Sequence, residues 1–226
     1  MFDDAMQLNL ENIEKLLRTA HGGRLLDVGC DDGERTLAFA RAAGADEVAG
    51  IEAVAEQAAL ARERGIDATV ADVAEGFPFP DKSFDVVVSN QVIEHLHDTD
   101  LFVRECHRVL VPGGLLVFST ENLSSWHNVF AVTLGWQPFS LTNVSSCTGG
   151  LGNPASVFRG QPHVRPESWQ HVRVFAYRGL VELARVHEFE VTATAGAGYF
   201  PLPARLGRVD PRHAVFVTIA ARRPRA

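Results

Sequence analysis

Apolar side chains recur along the chain at two spacings, one typical of helices and one typical of strands. Leu10, Ile13 and Leu17 fall on one face of a predicted leading helix, which two glycines after His21 bring to an end. The β-branched run 86–88 is apolar on both faces, as a central strand of a parallel sheet requires. Segments of the two kinds alternate, and this alternation predicts an α/β fold with a parallel sheet.

The predicted elements end at glycines and prolines, which break regular structure. Pro112, Gly113 and Gly114 are expected to turn the chain from a helix into the fifth strand. The last two strands have no helix-length pattern between them, so we expect them to pair antiparallel. The predicted strands are 24–28, 47–51, 68–71, 84–89, 115–119, 190–194 and 214–220, and the predicted helices are 34–43, 54–64, 100–110 and 177–186.

Length and composition fit a single domain that spans residues 1–226. The chain has 226 residues, of which 46% are hydrophobic, and single cores stop growing only at roughly 250 to 300 residues. Residues 1–23 contain the leading helix, and residues 121–165 form a long segment rich in Ser, Asn, Gly and aromatic side chains. Because loops this long are usually functional or disordered, we interpret 121–165 as an insertion after strand five, on the substrate side.

Charge and cysteine content argue against several classes of protein. The net charge of -7 opposes attraction to phosphate backbones, so nucleic acid is not an expected partner. The 3 cysteines are widely spaced and form no C-x-x-C pair, which argues against a disulfide framework and structural zinc. No signal-peptide pattern is present, and the apolar runs are far shorter than the ~20 residues of a spanning helix. We expect a cytoplasmic protein without a transmembrane segment, whose oligomeric state the sequence does not predict.

Polar residues stand where three consecutive predicted strands end. The loop after the first strand begins at Asp27; Gly29 allows its sharp turn, and Gly33 allows close approach of the backbone to a ligand or a strand. Glu52 ends the second strand about 20 residues later, where an acidic side chain can accept both hydroxyls of a ribose. Asp72 ends the third strand and could accept a hydrogen bond from an adenine amino group. The three strand ends predict a site for an adenosine-containing ligand.

The loop does not fit a nicotinamide-dependent dehydrogenase. The fingerprint G-x-G-x-x-G needs its middle glycine so that the backbone can touch a pyrophosphate. Here the loop reads G-x-x-x-G, and the carboxylates of Asp31 and Asp32 would repel a phosphate. An adenosine-containing ligand without a phosphate suits an acidic loop better.

Several segments together carry a family resemblance. They are Leu-Leu-Asp-Val-Gly-Cys-Asp-Asp-Gly at 25–33, the acids Glu52 and Asp72, Phe-Asp-Val-Val-Val-Ser-Asn at 84–90 and Val-Leu-Val-Pro-Gly-Gly-Leu at 109–115. With them the chain resembles class I S-adenosylmethionine-dependent methyltransferases, in the branch that includes the ubiquinone and menaquinone biosynthesis methyltransferases. The resemblance implies a Rossmann-like, doubly wound, mostly parallel seven-stranded sheet with a reversed last strand. It also implies S-adenosylmethionine as the cofactor and a small molecule as the substrate.

The resemblance assigns a role to each matching position. Asp27 lies near the methionine amino group of the cofactor, Glu52 on the ribose and Asn90 near the methionine part. The family usually has glycine where Asp31 stands, so the loop either lies further from the ligand or holds Asp31 in an unusual backbone conformation. The expected cofactor-binding residues are Asp27, Gly29, Cys30, Gly33, Glu52, Asp72, Val73 and Asn90.

Histidine is the usual general base for a hydroxyl nucleophile. His95 follows the fourth strand and is the first candidate, and His171, which precedes the helix after the insertion, is the second. Either could instead be a histidine that only packs or forms hydrogen bonds at the rim. Glu94 could orient the cofactor or cap a turn. His163 in the insertion ranks lower.

The insertion supplies candidates for the substrate pocket. Its aromatic side chains could line an apolar pocket or anchor the loop to the domain; they are Trp126, Trp136, Phe139, Phe158 and Trp169, which follows it. Glu121 and Asn122 follow the fifth strand, where they could contact substrate or cap the next segment. The expected substrate-binding residues are Glu121, Asn122, Trp126 and His127, and no metal site is expected.

Two functional hypotheses remain open. The first is a methyltransferase that acts on an oxygen, or less favourably a carbon or nitrogen, of a small metabolite, lipid or sugar-containing intermediate. The second is a methyltransferase-like binding or regulatory protein without turnover, which Asp31 favours and the retained Glu52 and Asp72 oppose.

Overall fold

The computed structural model describes residues 2–145, 147–161 and 170–225. Single turns of 3-10 helix connect several of its regular elements. The helices are α1 (Phe2–Leu17), α2 (Glu34–Ala43), α3 (Ala55–Glu63), α4 (Thr99–Val109), α5 (Trp126–Thr133) and α6 (Tyr177–Val186). The strands are β1 (Gly23–Val28), β2 (Ala45–Glu52), β3 (Asp67–Val70), β4 (Phe84–Asn90), β5 (Leu110–Glu121), β6 (Glu190–Ala197) and β7 (Phe216–Arg222).

The strands form one 7-stranded sheet in the order β3-β2-β1-β4-β5-β7-β6. Strands β1 to β5 run parallel to their neighbours, whereas β7 is antiparallel to both β5 and β6. The predicted α/β sheet with a reversed last strand is therefore confirmed, and so is the antiparallel pairing of the last two strands.

Helices cover both faces of the sheet, which explains the β-branched run in β4. Val87 lies in the core beneath α4 and α6, together with Phe102 and Leu180. Val86 and Val88 face the opposite core with Phe39 of α2. Because burying one such side chain contributes roughly 1.5–3 kcal/mol, a run that is apolar on both faces stabilises both layers.

Strand β5 begins earlier than the sequence predicts. Its bounds are Leu110–Glu121, whereas the predicted strand begins at 115. The residues interpreted as a turn form an irregularity within the strand, because the register to β4 shifts from Phe84↔Leu110 to Val86↔Leu115. Gly113, at φ 85, allows this irregularity, and its N–H donates to the Arg223 carbonyl at 2.8 Å.

The segment after β5 contains a helix that the sequence pattern does not indicate. Helix α5 lacks a single apolar stripe, since Phe130 is 59% and Val132 55% exposed on the side away from buried Ala131. His163, a lower-ranked candidate base, and Trp169, a candidate pocket residue, lie outside the described residues.

The carboxyl ends of β1, β2, β4 and β5 meet at one edge of the sheet, and the chain that precedes α6 runs across this edge. The N–H groups of Val172 and Arg173 donate to the Glu94 carbonyl at 2.8 and 3.1 Å, and the N–H of Leu123 donates to the Phe175 carbonyl at 2.9 Å. We call residues 170–176 the crossing segment. Its hydrogen bonds join the loop after β4 to the loop after β5. Among the described residues, no helix has the length and apolar content needed to cross a bilayer.

Candidate functional site

Asp27 lies at the end of β1, buried beneath the loop that follows. Asp27 is only 3% exposed, and its Oδ2 accepts a 2.7 Å hydrogen bond from the Thr36 hydroxyl of α2. Burial raises the pKa of Asp27 to about 7; the Thr36 hydrogen bond opposes this shift, and the charge of Glu52 adds to it. A cation close to Asp27 would favour its charged form.

The loop after β1 is shaped by residues with positive φ. Gly29 has φ 82, and a side chain there would collide with Val92 of the loop after β4. Asp31 has φ 49, so it adopts the unusual backbone conformation that was one of the two expectations for this position. This conformation lets the Asp31 N–H donate to Glu52 Oε2 at 3.0 Å.

Gly33 and Cys30, two of the expected cofactor-binding residues, face the protein interior. The missing side chain of Gly33 points at Ile66 and Ala61, so this glycine allows the loop to pack on α3 and its neighbours. Cys30 is 3% exposed and packs in the same small core. Burial is the main cause that raises its pKa to about 12, followed by the charges of Asp27 and Glu52. The charge of the adjacent Asp31 adds to this shift.

Glu52 at the end of β2 is held by the backbone on both sides. Its Oε2 accepts from Asp31 N and its Oε1 from Val54 N at 2.9 Å, which leaves lone pairs on both oxygens for hydroxyl donors. The Ala71 N–H donates to the Glu52 carbonyl at 3.1 Å and thus ties the end of β3 to this position. Glu52 is therefore oriented before any ligand arrives.

Asp72 lies at the same edge, one strand further out. Its Oδ1 accepts from Ala74 N at 2.9 Å and caps the 3-10 turn Val73–Glu75. Asp72 is exposed, and half-buried Val73 follows it. The structure thus brings Asp27 and Glu52 within electrostatic reach of each other, while the carboxylate of Asp72 is partly engaged in its own turn.

The end of β4 brings Asn90, an expected cofactor-binding residue, together with two polar residues that the sequence did not single out. Asn90 Oδ1 accepts a 3.0 Å hydrogen bond from Nδ2 of Asn9, a fully buried residue of α1. Gln91 has φ 57, and its Nε2 is buried without a hydrogen-bond partner. A buried amide donor without a partner fits an acceptor group of a ligand, such as a carboxylate. Asn9 could have been found as a polar residue four positions before Ile13 on the apolar stripe of α1.

A second group of polar side chains lies beyond β4. Glu94 is 1% exposed; its Oε2 accepts from the Thr120 hydroxyl at 2.8 Å, and its Oε1 is buried without a partner. Burial raises the pKa of Glu94 to about 7, against the opposing effect of His171. The rings of His95 and His171 stand edge to face with centroids 5.0 Å apart. The two candidate bases are therefore neighbours, although 76 positions separate them along the chain.

Both histidines are oriented by backbone carbonyls. Nδ1 of His95 lies 3.0 Å from the Gln170 oxygen, and Nδ1 of His171 lies 2.7 Å from the Ser140 oxygen. Because a carbonyl only accepts, each Nδ1 carries a proton, and in the neutral tautomer this leaves Nε2 as an acceptor. Burial lowers the pKa of His95, which favours this neutral form.

The two polar residues after β5 differ in their surroundings. Glu121 is half-buried, and its Oε2 lies 3.8 Å from His171 Nδ1, so it belongs to the group around the histidines. Asn122 is 0% exposed. Its Nδ2 donates to the carbonyls of Arg212 and Ala214, and its Oδ1 accepts from the backbone N–H of Ser124. The geometry favours the capping role for Asn122 over the predicted substrate contact.

An aromatic wall flanks this polar group. His127 packs between Phe139 and Phe200, with centroids at 5.2 and 5.5 Å, and burial lowers its pKa to about 4. Trp126 is 45% exposed and stacks on His213 with centroids 4.3 Å apart. Phe200 and His213 belong to the segment between β6 and β7, where the sequence pattern gave no sign of a role at this edge.

Further contacts fix the aromatic wall. Trp126 Nε1 donates to the Tyr199 hydroxyl at 2.8 Å, which in turn donates to Asp210 Oδ2 at 2.7 Å. Trp136 contacts Phe130 of α5 edge to face, which matches the alternative of an anchoring role. Phe158 is half exposed.

Comparison with known proteins shows similarity to methyltransferases. Residues 26–118 match the family described as methyltransferase domain. The chain is also 34% identical over 131 residues to the ubiquinone biosynthesis O-methyltransferase of Bordetella avium, an alignment that covers 55% of this chain and 54% of that protein. Residues 26–118 are therefore similar to methyltransferase domains. The chain spans about half the length of the curated relatives it matches.

Solved structures share the fold of this chain over most of its length. The S-adenosylmethionine dependent methyltransferase from Mesorhizobium loti has a TM-score of 0.60 at 22% identity and covers 97% of this chain and 98% of its own. The cyclase SpnF has a TM-score of 0.64 at 21% identity and covers 96% of this chain and 80% of its own. Identities this low show the fold alone.

The part of the chain that matches the methyltransferase family ends within β5. It includes Asp27, Glu52 and the Glu94–His95 pair, whereas Glu121 and His171 lie beyond it. The group around the histidines thus combines residues of the matched part with residues of the crossing segment.

Proposed function

We propose that this chain is an S-adenosylmethionine-dependent methyltransferase that methylates a hydroxyl oxygen of a small molecule. The observation that carries the proposal is the arrangement along one sheet edge. Asp27 and Glu52 lie at the cofactor end, and His95 and His171 stand at the other end with Nε2 available to a hydroxyl. A donor site and an acceptor site thus adjoin.

The residues at the ends of β1, β2 and β4 suit a cationic nucleoside. Glu52 would bind the ribose hydroxyls, because its two oxygens are fixed by backbone N–H groups and retain lone pairs. Asp27 would face the positive amino group, and Asn90 with the unpartnered Gln91 amide would hold the amino acid part. When bound, S-adenosylmethionine supplies a methyl group on a positively charged sulfur that leaves as a neutral thioether.

Gly29 and Val73 would contribute to the same site through the backbone shape of their loops, and Asp72 would lie at the adenine end. For Gly33 and Cys30 the interior packing supports a role in holding the loop. We therefore keep the cofactor-binding residues that the sequence predicts, except that Gly33 and Cys30 would position the loop instead of contacting the cofactor.

The acceptor end would hold a hydroxyl group and remove its proton. His95 and His171 present neutral rings whose Nε2 can accept a proton, and Glu94 lies beside them with an unpartnered oxygen. Positioning and exclusion of water supply most of the rate enhancement for a displacement at an already activated carbon. Trp126 and His127, with their aromatic neighbours, would exclude water on the substrate side of segment 121–165.

The proposed acceptor atom is oxygen because imidazole bases suit hydroxyl groups. The ubiquinone biosynthesis O-methyltransferase relative agrees with this choice and with a ring-bearing acceptor, for which the aromatic wall offers stacking surfaces. Nucleic acid is not the proposed acceptor, since the net charge is -7.

A turnover assay tests the proposal. The purified protein is incubated with S-adenosylmethionine and a panel of phenols and catechols, and S-adenosylhomocysteine and methyl ethers are measured by mass spectrometry. We expect a methyl ether from at least one acceptor and a loss of at least tenfold in kcat for His95→Ala. His187→Ala is the matched control, because His187 pairs with Asp100 at 2.6 Å on α4, outside the proposed site.

A second candidate is a binding protein of the same fold without methyl transfer. The observation that favours it is Asp31, which stands at φ 49 where the family usually has glycine. Cofactor binding without any S-adenosylhomocysteine across the panel would contradict the proposed O-methylation and favour this candidate.

A further inference from the structure

Three potential metal ligands meet at the acceptor end of the site. Glu94, His95 and His171 each offer a ligand atom, and these atoms all lie within 4.8 Å of one another. Glu94 and His95 are adjacent on the 3-10 turn Ile93–His95, and His171 arrives from the crossing segment. Two separate parts of the chain thus bring one carboxylate and two imidazoles together.

One carboxylate oxygen of Glu94 lacks a hydrogen-bond partner. Its Oε2 accepts from Thr120, but its Oε1 is buried and has no hydrogen-bond partner. Among the described residues, no lysine or arginine forms a salt bridge with Glu94. A buried carboxylate oxygen without a donor is costly, and a bound cation would remove this cost.

The histidines are arranged as metal ligands usually are. Metal-bound histidines almost always donate their other ring N–H to a carboxylate, a carbonyl or water, which fixes the tautomer. Here Nδ1 of His95 donates to the Gln170 carbonyl and Nδ1 of His171 to the Ser140 carbonyl. Each ring thus keeps an unprotonated Nε2, the form that binds a metal.

The local charge also suits a divalent cation. Glu121 Oε2 lies 3.8 Å from His171 Nδ1, so a second carboxylate stands beside the three ligands. The two carboxylates would offset the charge of a divalent cation bound there.

We propose that Glu94, His95 and His171 bind a divalent transition-metal ion of the zinc type. Two imidazoles and one carboxylate form the donor set of zinc sites that keep an open coordination position. Ligand atoms of a tetrahedral zinc ion lie about 3.3 Å apart when its bonds are about 2.0 Å long. Since the ligand atoms lie within 4.8 Å of one another, metal binding would draw them together by no more than about 1.5 Å, a motion that rotamer adjustment permits.

An open coordination position on the ion would give the metal a part in the reaction. A hydroxyl group bound there loses its proton more readily. Its oxygen then forms the bond to the methyl carbon while the carbon–sulfur bond breaks, and the proton passes to solvent. With the ion bound, His95 and His171 are ligands instead of bases. Only this consequence rests on the proposed function; metal binding itself does not.

Cobalt titration of the chelator-treated protein tests the site directly. Co²⁺ is added without cofactor or substrate, and its visible absorption is followed before Zn²⁺ is added in competition. We expect one Co²⁺ per chain, displaced by Zn²⁺, and affinities at least tenfold lower in Glu94→Gln and His171→Ala. His187→Ala is the control and should bind like the wild type. His187 follows α6 and pairs with Asp100 of α4, outside the proposed metal site.

A measurement on the unaltered protein covers the case in which a variant fails to fold. Histidine modification by diethylpyrocarbonate is mapped by mass spectrometry with and without Zn²⁺. Selective protection of His95 and His171 is expected. Absence of stoichiometric Co²⁺ binding, equal binding in Glu94→Gln, or unprotected histidines would each overturn the proposal. Metal binding without methyl transfer would leave the metal site established and contradict the proposed function alone.

Discussion

Replacing Asp27 with asparagine should change how the stability of the protein depends on pH. Burial raises the pKa of Asp27 from 3.8 to about 7 in the folded chain. A carboxyl group whose pKa is raised on folding stabilises the fold fully below its unfolded pKa. This contribution is then lost as the pH rises through the folded pKa. The ligand-free wild type therefore loses stability from this group between pH ~4 and pH ~7.

The magnitude follows from the same shift. One unit of pKa corresponds to 1.36 kcal/mol, so ionising buried Asp27 costs the fold up to ~4 kcal/mol above pH ~7. Of this, about 2–3 kcal/mol is lost between pH ~5 and pH ~8.5. Asparagine retains an acceptor for the Thr36 hydroxyl and does not titrate. The stability of Asp27→Asn should therefore not show this decline with rising pH.

Urea unfolding at pH values from 5 to 8.5, roughly the range over which Asp27 titrates, provides the assay. The free energy of unfolding of Asp27→Asn minus that of the wild type should rise by about 2–3 kcal/mol across the series. Glu94, which also has a raised pKa, is present in both proteins and cancels in the difference. Parallel profiles for the two proteins would refute the reasoning, because they would show that Asp27 does not titrate in this range.

The remaining predictions concern the loop, the cofactor and the leading helix. Asp31→Gly should alter the free energy of unfolding by less than about 1 kcal/mol, whereas Asp31→Val should lower it by about 1–2 kcal/mol, because φ 49 strains a β-branched residue; urea unfolding separates the two variants. Glu52→Gln should weaken S-adenosylmethionine binding at least tenfold in calorimetry, since one ribose acceptor becomes a donor; unchanged affinity would remove Glu52 from the site. Asn9→Leu should cost roughly 2–3 kcal/mol of stability, because Asn9 Oδ1 accepts from the buried Ser119 and Thr218 hydroxyls at 2.8 and 3.0 Å; a neutral effect in thermal unfolding would contradict this assignment.

The regular part of the fold was predictable because its cause is local. The apolar run in β4, the stripe of α1 and the glycine-bounded helices follow from the burial of single faces, which leaves a periodic pattern in the sequence. The order of strand ends that carry Asp27 and Glu52 follows from the same alternation. Predicted bounds deviate mainly where tertiary pairing extends a strand, as in β5, whose register irregularity depends on contacts with β4 and Arg223.

The acceptor end was not predictable because its contacts join distant segments. His95 and His171 were each candidates, but nothing periodic relates two residues 76 positions apart. Tyr199 and His213 reach the edge through a segment without regular strands or α-helices, where hydrophobic spacing carries no signal. Helix α5 escaped prediction for a related reason, since much of its apolar surface is exposed.

Calorimetric titration of the wild-type protein with S-adenosylmethionine tests the central claim most directly. The account predicts binding of one molecule per chain, with release of protons near pH 7, roughly where Asp27 titrates, because a cationic ligand favours its charged form. Absence of binding heat in the high micromolar range, in a protein shown by circular dichroism to be folded, would contradict the account.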